Sequence, residues 1–341
     1  MDSHQRKVSV MFTDQSNQLP SSSTLNRRQL IGSGAVLGAG AVVLGGSRLR
    51  LVAAQDSTPV AGSNVDIVTA AYDFLATLSD DEKSAVLFDW TDSAQRQRWS
   101  NFPEGLFDRA GLMWGNISED VQNAWLNLMQ VTMSEDGYDR VRAEWAADDQ
   151  LSGGGGGGQG GGPGGMNYGM QYYWIAIIGT PSESDPWQWQ WGGHHVTVNA
   201  TLMGDNLSLN PSFIGVQPAT YTDADGNEVR PLGDIEDAAF ALVNSLDDDQ
   251  KATAILGDTY VDLVLGPGQD GKVLQAEGLA GSAMTDDQRA AALQIIGYYT
   301  GLANDAAAAA YQAIVEETFD DTYLAWYGSI TQGEAAYFRL A

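Results

Sequence analysis

The chain of 341 residues has no cysteine and carries 17 basic against 44 acidic side chains, a net charge of −27 at neutral pH. Without thiols it forms no disulfide, thiolate zinc site or iron–sulfur cluster, and it has no cysteine for a lipoprotein anchor. The acidic balance disfavours nucleic acid and anionic membranes as partners, because phosphate binding needs cationic side chains, while 43% hydrophobic residues with 10 Trp and 13 Tyr suffice for a substantial core.

Residues 1–54 read as a twin-arginine signal peptide. Arg27 and Arg28 precede a modestly apolar run from Leu30 to Gly46, and Arg48, Arg50 and the small residues Ala53 and Ala54 follow. The run falls short of the roughly 20 apolar residues that span a bilayer. The expected partner is therefore the twin-arginine translocase during export, with no stable membrane span after cleavage. The competing reading is an uncleaved anchor. The expected location is the periplasm, the cell envelope or the extracellular space. A Ser/Thr/Pro/Gly linker occupies residues 55–64.

A first helical/β unit is expected over 65–232. Ile67, Val68, Ala71, Phe74, Leu75 and Leu78 recur at helical spacing. Ser79 and Glu82 have the spacing of a capping box and start a second helix. "ISEDVQNAWLNLMQVTMS" and "EDGYDRVRAEWAAD" supply a third and a fourth. The glycine-rich tract 153–165 cannot pack a core and is expected as a flexible loop, not a phosphate cradle, since no Lys-Ser/Thr follows it. "YYWIAIIG" reads as an apolar strand. "WQWQW" alternates strictly, so Trp187, Trp189 and Trp191 share one strand face and Gln188 and Gln190 are expected to face outward. "HHVTVNATLMG", "DN" and "LSLNPSFIG" suggest a hairpin.

The second unit, 233–341, repeats this grammar. "LATLSDDEKSAVL" matches "VNSLDDDQKATAI" at an offset of 168, and "SEDVQNAWLNLM" matches "TDDQRAAALQII" at 167. Asp247 with Gln250 and Thr285 with Gln288 repeat the capping positions, and "TYLAWYGSI" and "AAYFRLA" correspond to the first two strands. The pattern suggests an ancient duplication. The expected fold is α+β: two pseudo-repeated units, each helices followed by antiparallel strands, packed as one body. The second unit stops before any equivalent of the His-bearing hairpin, which reads either as a truncation or as a genuine terminal strand.

The candidate chemistry centres on "PWQWQWGGHHVTVN". The chain has three histidines, and His194 and His195 are adjacent. Imidazole is the commonest metal ligand. Adjacent strand residues point to opposite faces, but Gly192 and Gly193 could form a bulge that re-aims one ring. The expected cofactor, if any, is a divalent metal bound through nitrogen and oxygen: zinc, copper or iron. The competing reading is one hydrogen-bonded core histidine and one surface histidine. Trp187, Trp189 and Trp191 are either core or a stacking platform for a sugar or other flat small molecule. "TDADGNEV" resembles half a calcium loop, with Asp223, Asp225 and Asn227 as alternate oxygens, yet Asp234 stands where Glu is needed and a hairpin turn explains it as well. The acidic clusters at helix starts are explained by capping. No Ser-His-Asp motif is legible, and catalytic residues stay unassigned.

Taken together, "FLATLSDDEKSAVLFDW", "YYWIAIIGTPSESDPWQWQWGGHHVTVN", "PSFIGVQPA" and "AAYFRL" resemble the bacterial domain of unknown function 3500 family over nearly the whole chain after the leader. The resemblance implies export and no stated activity. It also implies a continuation beyond "YFRL" with a further His-containing segment, so this chain reads as C-terminally truncated. The leading expectation is an exported metal-binding protein, with a metal-dependent enzyme as its extension. The alternatives are a non-catalytic carbohydrate- or ligand-binding protein using the Trp-rich strand, and a structural envelope protein.

Overall fold

The computed structural model describes residues 62–152, 166–261 and 263–341. Arg27 and Arg28 of the leader, most of the linker and the glycine tract 153–165 lie outside the described residues.

Helices α1 (Asn64–Thr77) and α2 (Asp80–Val86) lead to strand β1 (Leu87–Phe88), short helix α3 (Ser93–Arg96) and strand β2 (Leu112–Met113). Helices α4 (Glu119–Thr132) and α5 (Glu135–Ser152) follow, then strands β3 (Trp174–Ile178), β4 (Trp187–Gly192), β5 (Thr197–Met203) and β6 (Asn206–Ser208). A small hairpin of β7 (Tyr221–Thr222) and β8 (Glu228–Val229) precedes α6 (Gly233–Ser245), α7 (Asp248–Ala254), β9 (Ile255–Gly257) and β10 (Leu279–Ala280). The chain continues through α8 (Asp286–Thr300), α9 (Asp305–Thr318), β11 (Tyr323–Gly328) and β12 (Ala336–Leu340). The fold is α+β, as expected.

The helix starts are set locally. Ser79 with Glu82, Asp247 with Gln250 and Thr285 with Gln288 all close reciprocal capping boxes, and Ser63 with Asp66 adds one at α1. Each box satisfies two backbone N–H groups that a helix end leaves without partners.

The larger sheet runs β1, β3, β4, β5, β6, with β2 on β3. β1 is parallel to β3, whereas β2–β3, β3–β4, β4–β5 and β5–β6 are antiparallel. In the smaller sheet β9 is parallel to β11, and β10 and β12 are antiparallel to it. A parallel short strand, an antiparallel short strand and an antiparallel hairpin partner thus surround β3 and β11 alike. Gly111 (φ +114°) and Gly278 (φ +103°) each precede the antiparallel short strand. A Cβ there would stand 2.0 Å from the carbonyl oxygen of Ile175 and 2.1 Å from that of Leu324.

The tryptophan stripe of β4 forms the middle of the core. Trp187, Trp189 and Trp191 are 0% exposed. Trp189 meets Trp125 of α4 edge to face at 5.7 Å between centroids, and Trp191 meets Trp145 of α5 at 5.1 Å. The stacking-platform expectation therefore fails, because helices α4 and α5 occupy the face a sugar would need. The outward-facing glutamines are corrected as well. Gln188 and Gln190 are buried, and Gln190 bonds to Gln95 Nε2 and to the Arg96 carbonyl, since the segment around α3 covers the second face. The alternation marks an apolar face and a polar face, both closed to water.

"TDADGNEV" is the β7–β8 turn. Asp223 Oδ1 accepts from the amides of Asp225 at 3.0 Å and Asn227 at 2.8 Å. That carboxylate is spent on its own turn, and Asp234 lies in α6. Among the described residues no helix is long and apolar enough to cross a membrane.

Replacing Trp189 by Ala is expected to lower the unfolding free energy by about 3–5 kcal/mol, measured by urea denaturation. Trp189→Phe should cost clearly less, since it keeps an aromatic ring and removes an indole N–H that has no hydrogen-bond partner among the described residues. Equal losses in the two variants would contradict this packing.

Candidate functional site

β4 ends at Gly192 and β5 begins at Thr197, so Gly193, His194, His195 and Val196 form the turn between them. The β4–β5 register is regular up to Gly192 opposite Thr197. No bulge is present, contrary to the expectation for the glycine pair. The turn is closed by the Gly193 amide bonding to the Val196 carbonyl at 3.0 Å and the Val196 amide to the His194 carbonyl at 2.9 Å. Gly193 is required by contact: a Cβ there would lie 2.7 Å from the Tyr173 ring. The left-handed position is His195 itself, at φ +65°. A non-glycine residue adopts that conformation at a cost of about 1 kcal/mol or more, which the surroundings must offset.

The surroundings are polar and closely fitted. Arg109 Nη2 donates to the carbonyls of Ser100, Phe102 and Gly193 at 2.8, 2.6 and 3.0 Å. The Tyr173 hydroxyl donates to the His194 carbonyl, and the His195 amide to the Asn101 carbonyl at 3.1 Å.

This turn stacks the two imidazoles, with centroids 3.8 Å apart and planes tilted by 37°. They engage different partners. His194 Nδ1 lies 2.6 Å from Asp148 Oδ1, with both side chains buried. His195 Nε2 lies 3.0 Å from Gln217 Oε1. The Tyr168 ring meets His194 edge to face at 4.9 Å. Asp148 is fixed from the other side as well, since its Oδ2 accepts the Gly169 amide at 2.9 Å. With the carboxylate as acceptor, Nδ1 of His194 carries the proton and the neutral ring keeps its lone pair on Nε2. Among the described residues that Nε2 has no hydrogen-bond partner.

One helical turn before Asp148, on the same face of α5, stands Glu144. It is 2% exposed, and among the described residues its carboxylate oxygens have no close, well-aligned hydrogen bond, the Gly215 backbone acting only as a weak donor. Burial pushes its carboxyl well above the usual range, opposed by the Arg140 charge and the Gly215 backbone. Glu144 and Asp148 were legible only as misfits. Val141, Glu144, Trp145 and Asp148 follow the spacing of an apolar helix stripe, and all four are buried. Gln217, Tyr168 and Arg109 left no comparable mark in the sequence.

A family model of proteins of unknown function, DUF3500, matches residues 61–341. The chain belongs to the DUF3500 family. No curated protein and no solved structure matches it. In this DUF3500 chain the two predicted histidines do come together, but the third ligand does not. Among the described residues no group of three or more His, Asp or Glu side chains is placed to hold a metal ion. Asp148 backs His194 from the Nδ1 side, and His195 is turned to Gln217.

The carboxyl of Glu144 gives a pH test. In the unfolded chain it titrates near its ordinary value of 4.5, and in the folded chain above it. Between the two, the folded protein holds a proton that the unfolded chain has lost, so stability falls as pH rises through that interval. Glu144→Gln stays neutral throughout. Its stability relative to wild type is expected to be unfavourable or equal at pH 4 and to improve steadily above about pH 5, as followed by urea unfolding. Parallel pH profiles would show that Glu144 is not a buried acid.

Proposed function

We propose that this protein is exported and works through His194 as a proton-transfer group, with Asp148 as its orienting carboxylate. One observation carries the reading: the buried 2.6 Å contact between His194 Nδ1 and Asp148 Oδ1, beside an Nε2 left without a partner among the described residues. A carboxylate behind an imidazole selects the tautomer and stabilises the cation formed when Nε2 takes a proton. His195 contributes by stacking, which sets the plane of the His194 ring. The leader pattern at Arg27 and Arg28 supports export, and the recurrence of strand pairing around β3 and β11 supports an origin by duplication.

The metal reading has one specific support. A ligating histidine commonly donates its second nitrogen to a carboxylate, as His194 does to Asp148. The donor set otherwise fits poorly, since His195 Nε2 is turned to Gln217 and among the described residues no trio of ligands converges. We therefore rank proton transfer first.

Diethyl pyrocarbonate, which acylates the lone-pair nitrogen of imidazole, separates the readings. His194 should be acylated in the metal-free protein, and Asp148→Asn should slow this about tenfold, as expected for loss of a charge-assisted hydrogen bond of about 1.5–3 kcal/mol. An unreactive His194, or equal rates in the two proteins, would defeat the proposal. Stoichiometric zinc, copper or iron by elemental analysis, lost in the His194→Ala, His195→Ala double variant, would put the metal reading in its place.

A further inference from the structure

The segment before Arg109 carries an apolar surface of its own. Pro103 to Leu106 form a tight turn: the Leu106 amide donates to the Pro103 carbonyl at 3.2 Å, and Gly105 supplies the positive φ of +93° at the third position. Phe102 and Leu106 are 51% and 56% exposed. The turn is held firmly all the same. The Phe102 amide donates to Ser100 Oγ at 3.1 Å, Glu104 Oε2 accepts from Trp174 Nε1 at 2.9 Å, and the Arg109 guanidinium lies over the Phe107 ring at 5.5 Å. A single exposed apolar side chain is ordinary in a folded protein, whereas two presented together from one anchored turn make a patch.

Contacts run from this turn to both histidines. On one side the Asn101 carbonyl accepts the His195 amide at 3.1 Å, and Arg109 Nη2 donates to the carbonyls of both Phe102 and Gly193. On the other side the Glu104 carbonyl accepts the Asn167 amide at 2.9 Å, and the next residue, Tyr168, sets its ring edge to face on His194. Asn101 to Glu104, Asn167 to Tyr168 and His194 to His195 thus close a ring of contacts, with Phe102 on it. The Tyr168 hydroxyl lies 3.5 Å from the Met166 sulfur, which adds a soft thioether to the surroundings. Carboxylates set the local charge. Asp148 and Glu104 both act on the buried Arg109, Asp149 bonds the Met170 amide, Asp108 is exposed, and Arg98 is exposed to solvent.

We infer that the histidine site takes an uncharged small molecule that presents an N–H or O–H to His194 and lays an apolar tail against Phe102 and Leu106. The neutral ring offers a lone pair at Nε2, so the head of the ligand must donate. An anionic head would meet the carboxylates, and a cationic head would oppose the imidazolium that forms when Nε2 takes a proton. The tail follows from the exposed pair, which gains from any apolar surface it covers. The inference rests on the proton-transfer reading for the role of Nε2, while the apolar lip stands on its own contacts.

The test titrates the full chain with acetamide, butanamide, hexanamide, hexanoate and hexylamine at fixed pH and ionic strength, followed by the ring resonances of His194 and Phe102. Amide affinity is expected to rise about twofold per methylene, as for a tail half removed from water, which makes hexanamide at least tenfold tighter than acetamide. Hexanoate and hexylamine should each bind at least tenfold more weakly than hexanamide. The double variant Phe102→Ser, Leu106→Ser should flatten the chain-length dependence and leave diethyl pyrocarbonate acylation of His194 as in wild type. Affinity independent of chain length, hexanoate or hexylamine binding as tightly as hexanamide, or an unchanged dependence in the double variant would overturn the inference. So would a concentration-dependent dimer that the double variant loses, with no amide dependence, since a second copy of the chain would then cover the patch. Should the double variant not fold, the wild-type series decides by itself. Chain-length-dependent binding with an unreactive His194 would keep the apolar lip and defeat the proton-transfer reading alone.

Discussion

Trp145 of α5 meets Trp191 of β4 edge to face, and Trp125 of α4 meets Trp189 in the same way. These pairs set the distance and the rotation of both helices against the sheet. The consequence reaches the candidate site directly. Asp148 lies three residues beyond Trp145 on the helix, and His194 lies three residues beyond Trp191 on the strand. Once the indoles lock, the carboxylate and the imidazole have little freedom left, and a 2.6 Å contact becomes possible between residues 46 positions apart. Aromatic side chains suit this task because each buries about 150–250 Å² with few rotatable bonds.

The polar groups around that aromatic layer follow two rules. Asp148 has both oxygens bonded, and Arg109 Nη2 serves three carbonyls, so much of their desolvation is offset. Glu144 occupies the same helix face with no close hydrogen bond to either oxygen among the described residues. For an unpaired carboxyl in a low-dielectric interior, keeping the proton costs less than carrying the charge. The same helix thus presents one carboxylate suited to orient an imidazole and one carboxyl suited to remain neutral.

The two halves of the chain share most of their order of elements and a pattern of strand pairing, yet their last long helices differ. α5 buries Val141, Glu144, Trp145 and Asp148 beneath the turn and loop that follow β4. α9 has no buried residue, and Ile314 on it is 59% exposed. The buried carboxyl groups Glu144 and Asp148 lie in the half in which a covering segment removes the helix from water. Burial makes a carboxylate effective as a partner for His194, because the attraction between them weakens in a high-dielectric setting.

The amino-acid sequence by itself determined the helix starts, the strand alternation and the tight turn at Asp223, because each depends on contacts within a few residues. Ser79 finds Glu82, Thr285 finds Gln288, and alternate tryptophans find one face regardless of what lies beyond. It also pointed to the histidine pair, since adjacent histidines after a glycine pair are conspicuous in a chain with three histidines. Tertiary structure decided everything that depends on what covers what. It closed both faces of β4, which removed the tryptophan platform and buried the glutamines. It supplied Asp148 to His194 and Gln217 to His195, and among the described residues it brought no third metal ligand. None of this is encoded in local spacing, because burial and hydrogen-bond partnership arise only when segments distant in the chain pack together.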